Sequence, residues 1–548
     1  MKRTYFACLF LCLTTSLASL LAQAQTETVL YNFKGGSDGF TPQSRLTSDG
    51  AGNLYGTTCF GGLGAGTVFE LSQNGSGGWK ETVLYSFTGG ADGSVPYFSY
   101  VLFDSEGNLY GTTYGGGSYG YGVVFELSPE GTSWTETVLY SFTGGADDAN
   151  PLNGLIMDTT GNLYGRTYVS GGGNGNIFEL SKSAGEWTKQ VIYSDAPGYA
   201  GLTMDAAGNI FGVTANMVFE LSPNGHGGWN PTLIHTFSGA PTDGLVGEGT
   251  PALDHAGNLY GTTLAGGSKN NGTVYELSRG TNGWREKILH SFQGGSNDGS
   301  EPFAGIVLDA AGNIYGTTEV GGNPLAGTVY ELIAPVGKGG YQEKVLWKFD
   351  TTDGYEPVGS LILDSTGNLY GTTPEGGSNG YGVVFKVNVP AAWTATTLAP
   401  SPNPSAYGEA VTLSAVVTSS LGVPPDGETV TFMKGATVLG TGTLSGGSAN
   451  FTTSILPVGT NAIKAIYGGD SNFGSSTSKV VKQVVSKATT TTTLASSQNP
   501  SSFGQSVTFT EQKFTTSTLT KGTHSIKATY NGSTSFSGGL APLKQTVN

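Results

Sequence analysis

Short runs in which apolar and polar positions alternate, or in which β-branched and aromatic residues cluster, recur along the chain between glycine-rich turns. One stretch shows the unit. Residues 100–104, 108–113, 122–127 and 134–142 each read as a strand. Between the first two lies Asp104-Ser105-Glu106-Gly107-Asn108, where Asp bonds its own backbone and Gly takes a positive φ to close a hairpin. The same Asp returns as Asp49, Asp158, Asp205, Asp254, Asp309 and Asp364.

The unit is repeated. The phrase Gly-Asn-Leu-Tyr-Gly-Thr-Thr, with small changes, starts at Gly52, Gly107, Gly161, Gly208, Gly257, Gly312 and Gly367, at spacings of 55, 54, 47, 49, 55 and 55 residues. That period suits a four-stranded propeller blade. A lone fourth-type strand opens the region at 27–33, and the last copy ends after a third-type strand at 383–387. The strands balance only if the first completes the last blade, which leaves no open seam. Trp79, Trp134, Trp187, Trp229 and Trp284, with Tyr341 in the sixth copy, precede the fourth strands and are expected to pack between blades.

The region resembles the Gly-rich tandem-repeat proteins of bacteria known as GloVer-repeat or choice-of-anchor proteins. The resemblance spans about residues 27–387 and rests on the seven-fold phrase and the Val-Phe-Glu-Leu run. It implies an exported propeller-like protein with a variable C-terminal attachment device, and it brings no catalytic residues.

Beyond Pro390 the composition turns to Thr, Ser and Ala. Residues 396–485 look like a bacterial Ig-like repeat. A second copy begins at Thr490 but jumps from Thr510 to Phe514, which drops about 33 residues. A partial sheet, poorly ordered or paired with its neighbour, is expected there. The expected fold is all-β: a signal peptide at 1–24, a seven-bladed β-propeller at 25–390, an Ig-like β-sandwich at 391–487 and a truncated Ig-like module at 488–548.

Composition sharpens the address. Lys2 and Arg3, the apolar run at 6–21 and Ala22-Gln23-Ala24 read as a secretory signal. Its removal takes away Cys8 and Cys12, leaves Cys59 without a disulfide partner and lowers the net charge from −15 to −17. An acidic surface disfavours nucleic acid. No second stretch suits a membrane span, and a monomer is expected.

Candidate chemistry sits in two loops. The fourth-to-first connection carries Asp38, Asp92, Asp147, Asp298 and Asp353 in Gly-rich phrases, and the second-to-third loop is rich in Gly and Tyr. One Asp per blade cannot converge on a single Ca²⁺, which takes six to eight oxygens. Calcium at separate weak sites stays open, and no cofactor or metal site is assigned. The fourth copy lacks its second-to-third loop, and the preceding connection, Asp195-Ala196-Pro197-Gly198-Tyr199, lacks the Gly-Gly-x-Asp-Gly phrase. A notch is therefore expected near blades three and four, beside Arg166, which replaces a Thr. Arg166, Asp195 and Tyr199 join the five loop aspartates as candidate ligand contacts.

His235 and His290 stand where other copies have a strand Tyr and read as packing substitutes. His226 and His255 fall in turns. No His pair has metal-ligand spacing, and no nucleophile elbow or phosphate loop appears. The favoured reading is a secreted, non-catalytic binding or scaffold protein for an extracellular glycan or surface protein. The alternative is a secreted propeller enzyme, a polysaccharide lyase or hydrolase, with its site near blades three and four.

Overall fold

The computed structural model describes residues 26–548 except 76, 170–173, 282, 310–311, 323–324, 336–338, 390–393, 420–422, 471–472 and 511–513. The expected signal peptide lies outside the described residues. Strands dominate, joined by two three-residue helical turns, Gly36–Asp38 and Gly145–Asp147. No helix among the described residues is long and apolar enough to cross a membrane. Two compact units are present, one within residues 26–389 and one from 394 onward.

The first unit is β-propeller-like. It holds seven four-stranded antiparallel sheets, with strands in chain order in the first six. Sheets 1 to 7 have as their second strands Leu54–Thr58, Leu109–Thr113, Leu163–Val169, Ile210–Val213, Leu259–Thr263, Ile314–Thr318 and Asn368–Thr373. In sheet 7 the fourth strand comes from the other end of the unit: Glu27–Asn32 pairs antiparallel with Val383–Asn388.

The repeated Leu-Tyr-Gly-Thr-Thr phrase has a packing cause. In sheet 1 Gly56 pairs with Phe69 on the third strand, and a Cβ on Gly56 would stand 2.6 Å from the Phe69 ring. Gly111 and Phe125 repeat the relation at 2.6 Å, and Gly371 and Phe385 at 2.5 Å. The ring laid across glycine then meets a Phe from the preceding sheet edge to face. Phe33–Phe69, Phe87–Phe125, Phe142–Phe178, Phe237–Tyr275, Phe292–Tyr330 and Phe349–Phe385 have centroids 4.9–5.3 Å apart. Burying one such side chain contributes about 1.5–3 kcal/mol, and the aromatic pairing adds about 0.5–1.5 kcal/mol. Apolar clusters join sheet 1 to 2, 2 to 3, 3 to 4, 4 to 5, 5 to 6, 6 to 7, and 7 back to 1. The tryptophans and Tyr341 pack half-buried against these clusters.

A backbone latch accompanies five of these six aromatic contacts, all but Phe237–Tyr275. Thr41, Val95, Asn150, Glu301 and Glu356 hold φ between 54° and 60°, a conformation that costs a non-glycine residue about 1–3 kcal/mol. Each donates its N–H to a carbonyl in the preceding sheet's second-to-third loop, as Val95 does to Ala65 at 2.7 Å. Recurrence around the unit marks this strain as architectural.

Two features depart from the expected strands. The first strand of sheet 3 runs nine residues, Ala149–Met157, where others span two or three. The two loop types also pair with each other, as ribbons in Gly244–Leu245 with Ala265–Gly266 and Gly299–Ser300 with Val320–Gly321, and as single bridges such as Ser94 with Gly115.

In the second unit, Thr394–Ser401, Val411–Ser419 and Ser448–Thr453 form one sheet, and a larger sheet is built around Thr429–Lys434, Gly459–Tyr467 and Val481–Ser486. Val411, Leu413, Val430, Phe432, Ile463 and Tyr467 share one core between the sheets. The following segment forms a three-stranded sheet and a hairpin, Gly522–Tyr530 with Gly539–Val547. It is bonded to its neighbour through Lys487 to the Ser533 carbonyl and a bridge between Ala488 and Phe536.

Candidate functional site

The turn aspartates at one end of the sheets bond within their own hairpins. Asp104 Oδ1 accepts N–H from Glu106 at 2.8 Å and Asn108 at 2.9 Å, and Oδ2 accepts from the Asn108 amide at 2.8 Å and the Tyr110 hydroxyl at 3.1 Å. Burial pushes such a carboxyl up, but these donors outweigh it and hold Asp49, Asp104, Asp158, Asp254 and Asp364 below the usual range.

At the opposite end the five loop aspartates lie one to an interface. Asp38 accepts from the Tyr31 hydroxyl at 2.9 Å and the Lys34 amide at 3.0 Å. Asp92 accepts from Tyr85 at 3.1 Å and the Thr88 amide at 2.7 Å. Asp298 takes the Gln293 and Gly299 amides at 2.7 Å each, and Asp353 takes the Trp347 indole at 2.9 Å. Asp147 accepts from Tyr140 and the Thr143 amide, and Lys189 of the next sheet bridges it at 3.3 Å and the fully buried Asp148 at 2.9 Å.

Where sheet 3 supplies Lys189, other sheets supply a glutamate. Burial, with the nearby loop aspartate, pushes Glu136 and Glu343 up to about 7 and Glu27 up to about 8, while Glu81 beside Asp38 also rises to about 7. These groups hold a proton near neutrality. The sequence shows each Glu only as a polar position on an alternating strand; its partner comes from another sheet.

The third and fourth sheets depart from this scheme. Ala196 takes the place that Phe87 has in sheet 1, its N–H bonded to the Gly175 carbonyl as that of Phe87 is to Gly66, and Tyr193 takes over the missing ring by stacking on Phe219 at 4.8 Å. Asp195 bonds to the Asn174 amide, and its own N–H reaches Asn176 at 3.2 Å. The acid that the enzyme reading sets beside Arg166 is thus engaged with those asparagines.

Arg166 does not edge an open notch. It is 1% exposed. Its Nη2 donates to the Val213 carbonyl at 2.7 Å, while Nε and Nη1 are shut off from solvent and have no hydrogen-bond partner. Burial lowers its pKa to about 10, offset in part by the charge of Glu248. Glu248 is itself raised by burial, an effect countered by the Tyr199 N–H, which it accepts at 2.9 Å, and by Arg166. The elements converging here were invisible in a repeat-by-repeat reading, although the Thr-to-Arg exchange marked the position.

Around Tyr199 lies an aromatic cluster drawn from four sheets. Tyr199 packs on Tyr168 at 5.2 Å, with hydroxyls 3.2 Å apart, and lies 6.3 Å from Phe98 and 6.1 Å from Phe303. Phe98, before the first strand of sheet 2, stacks on Phe303, before that of sheet 6, at 5.2 Å. Tyr114 extends the group to Tyr168 at 6.3 Å, and Tyr168 is 36% exposed. The other arginines are dispersed: Arg45 stacks on Tyr100 at 4.5 Å, and Arg279 pairs with Glu220 at 2.6 Å.

A groove of about 470 Å³ does separate sheets 3 and 4, lined by Asp158, Tyr164, Glu179, Met204 and Trp229. It opens at the turn-aspartate end, opposite the face on which the notch was expected.

His235 and His290 occupy the Tyr position as expected, with rings edge-on to Phe237 and Phe292. Each also faces its loop aspartate, which sequence reasoning missed. The available signal was a His for Tyr exchange at a position whose tyrosine is bonded to Asp in other copies.

The structure is similar to several solved proteins at low identity. The extracellular domain of a B. thetaiotaomicron protein matches 84% of this chain at 12% identity and TM-score 0.40, and the chain spans 58% of that domain. A gluconolactonase from Xanthomonas campestris matches 67% of this chain and 90% of its own at 12% identity and TM-score 0.34. A Trypanosoma rangeli sialidase matches 85% and 93% at 10% identity and TM-score 0.33. None transfers an activity. No curated protein matches the sequence. The Gloeobacter/Verrucomicrobia repeat matches residues 64–250 and 215–455, most of the chain, and the protein belongs to that family.

Proposed function

We propose that this is an exported, non-catalytic binding protein, a seven-bladed β-propeller closed by its N-terminal strand, whose loop-face centre recognises extracellular carbohydrate. One bacterial Ig-like sandwich and a truncated second copy serve as spacer. The observation that carries the reading is Arg166, a guanidinium with two N–H donors unmatched by protein, set next to Gly198 and the aromatic cluster of Tyr199. An unpaired buried donor costs about 1–3 kcal/mol, so a fold that has threonine at this position in five other sheets gains nothing structural from it. Tyr168 and Tyr199 offer ring faces for stacking a sugar, and Arg166, buried beneath, acts on them through Glu248, which accepts the Tyr199 N–H. The loop aspartates, bonded within their loops, shape the surface that surrounds this centre.

The test is an oligosaccharide array probed with the full mature chain, with and without Ca²⁺, alongside Arg166→Thr and Tyr199→Ala. Hits lost in both variants and retained in Asp92→Asn support the reading. A blank array, or hits indifferent to both changes, overturns it.

A further inference from the structure

We propose that His235, Asp243 and Glu286 form a binding site for a divalent transition-metal ion of the Zn²⁺ or Co²⁺ class between sheets 4 and 5. His235 lies on the fourth strand of sheet 4, Trp229–Thr236, and Asp243 in the connection that follows it. Glu286 comes from the fourth strand of sheet 5, Gly283–Ser291.

Their donor atoms all lie within 4.8 Å of one another. His235 Nε2 is 3.3 Å from Asp243 Oδ1 and 3.6 Å from Glu286 Oε1. Tetrahedral donors 2.0–2.1 Å from a zinc-like ion stand about 3.3 Å apart, so the His235–Asp243 edge has the required length and the His235–Glu286 edge, at 3.6 Å, is slightly longer. Imidazole with two carboxylates suits such an ion and not Ca²⁺, which takes oxygen alone and in larger number.

Glu286 Oε1 is shut off from solvent and has no hydrogen-bond partner, a state it shares with Glu81 and Glu136 at the same position; what differs here is the imidazole nitrogen 3.6 Å away. Asp243 is already oriented as ligands usually are: its side chain is 9% exposed, Oδ2 accepts from Ser238 N and Oγ at 2.6 and 2.8 Å, and Oδ1 accepts from Gly244 N at 2.6 Å. His235 is 20% exposed and leaves an approach for the ion and a fourth, solvent-derived ligand.

The other repeats supply a control. At the same place Tyr85 donates its hydroxyl proton to Asp92 at 3.1 Å, while Glu136 Oε1 beside it stays without a partner. Histidine supplies a lone pair there instead. His290, Asp298 and Glu343 repeat the set more loosely, with His290 Nε2 3.6 Å from Asp298 Oδ1.

The experiment is equilibrium dialysis of the chelator-stripped full chain against Zn²⁺, with Co²⁺ absorption in the visible as a second reading. His235→Tyr, which restores the residue of other copies, keeps the fold, and circular dichroism checks it. The expected result is a bound ion whose stoichiometry drops by one per chain in His235→Tyr and in Glu286→Gln, with loss of the matching Co²⁺ band. No bound ion in the parent chain, or a stoichiometry unchanged in a folded His235→Tyr variant, overturns the proposal.

Discussion

The interface between sheets 1 and 2 and that between sheets 3 and 4 use equivalent strands and differ at four equivalent positions. Phe87, Asp92, Glu136 and Thr57 serve the first; Ala196, a connection without the Gly-rich aspartate phrase, Pro231 and Arg166 serve the second. In the first the groups are answered except for Glu136 Oε1, which is buried without a hydrogen-bond partner. Phe87 packs edge-on against Phe125, Asp92 is held by three donors, and Thr57 donates to the Ser99 carbonyl at 2.7 Å. In the second Tyr193 replaces the lost ring, but Arg166 keeps two unanswered donors. The repeated interfaces share one buried, unpaired glutamate oxygen, whereas the divergent one holds a buried guanidinium with two unpaired nitrogens, its charge offset in part by Glu248. A local rule broken in one copy and not in the others marks a candidate functional site.

The comparison can be broken at either side. Phe87→Ala should cost about 3–5 kcal/mol, while Asp195→Ala should cost under about 1 kcal/mol, because Asp195 is exposed and the buried place belongs to Ala196; denaturant titration of the first unit's transition reads both. Lys189→Met should cost about 3–5 kcal/mol, since it strands the buried Asp148 carboxylate, and the loss should shrink when the titration is repeated at acid pH. Arg166→Thr, which imports the repeat's own residue, should raise stability by about 1–3 kcal/mol.

The smallest effect is one of pH. Glu27, Glu81, Glu136, Glu286 and Glu343 have folded pKa values raised to about 7–8. The folded protein therefore keeps protons that the unfolded chain releases above about 4.5. That stabilisation is complete below the unfolded value and is lost as pH rises through about 7–8. The turn aspartates, held low, act in the opposite sense and lose their contribution as pH falls below about 4. Stability should peak near pH 4–5, and the melting temperature should fall by a few °C toward pH 8. Glu136→Gln should flatten that slope slightly, and scanning calorimetry across the range checks it.

Much of the fold was legible because one phrase recurs. The Leu-Tyr-Gly-Thr-Thr strands, the Asp-closed hairpins and the pairing of the N-terminal strand with the last sheet all follow from local chemistry and a strand count. What the repeat could not show was contact between sheets. Glu136 reads as a solvent-facing position on an alternating strand and is instead set against Asp92. Ala196 reads as a loop residue and proves to take the place of a core phenylalanine. Arg166 was visible as an exchange, but its burial depends on Val213 and Glu248, dozens of residues away. In the C-terminal segment the strand Gly522–Tyr530 leaves Tyr530 39% exposed, whereas Tyr467 on the strand Gly459–Tyr467 is buried.

The most direct measurement is the paired stability and oligosaccharide binding of Arg166→Thr against the parent chain. The account predicts a variant that is more stable and no longer binds. A variant that is less stable and binds as before would make Arg166 a structural residue and contradict the account.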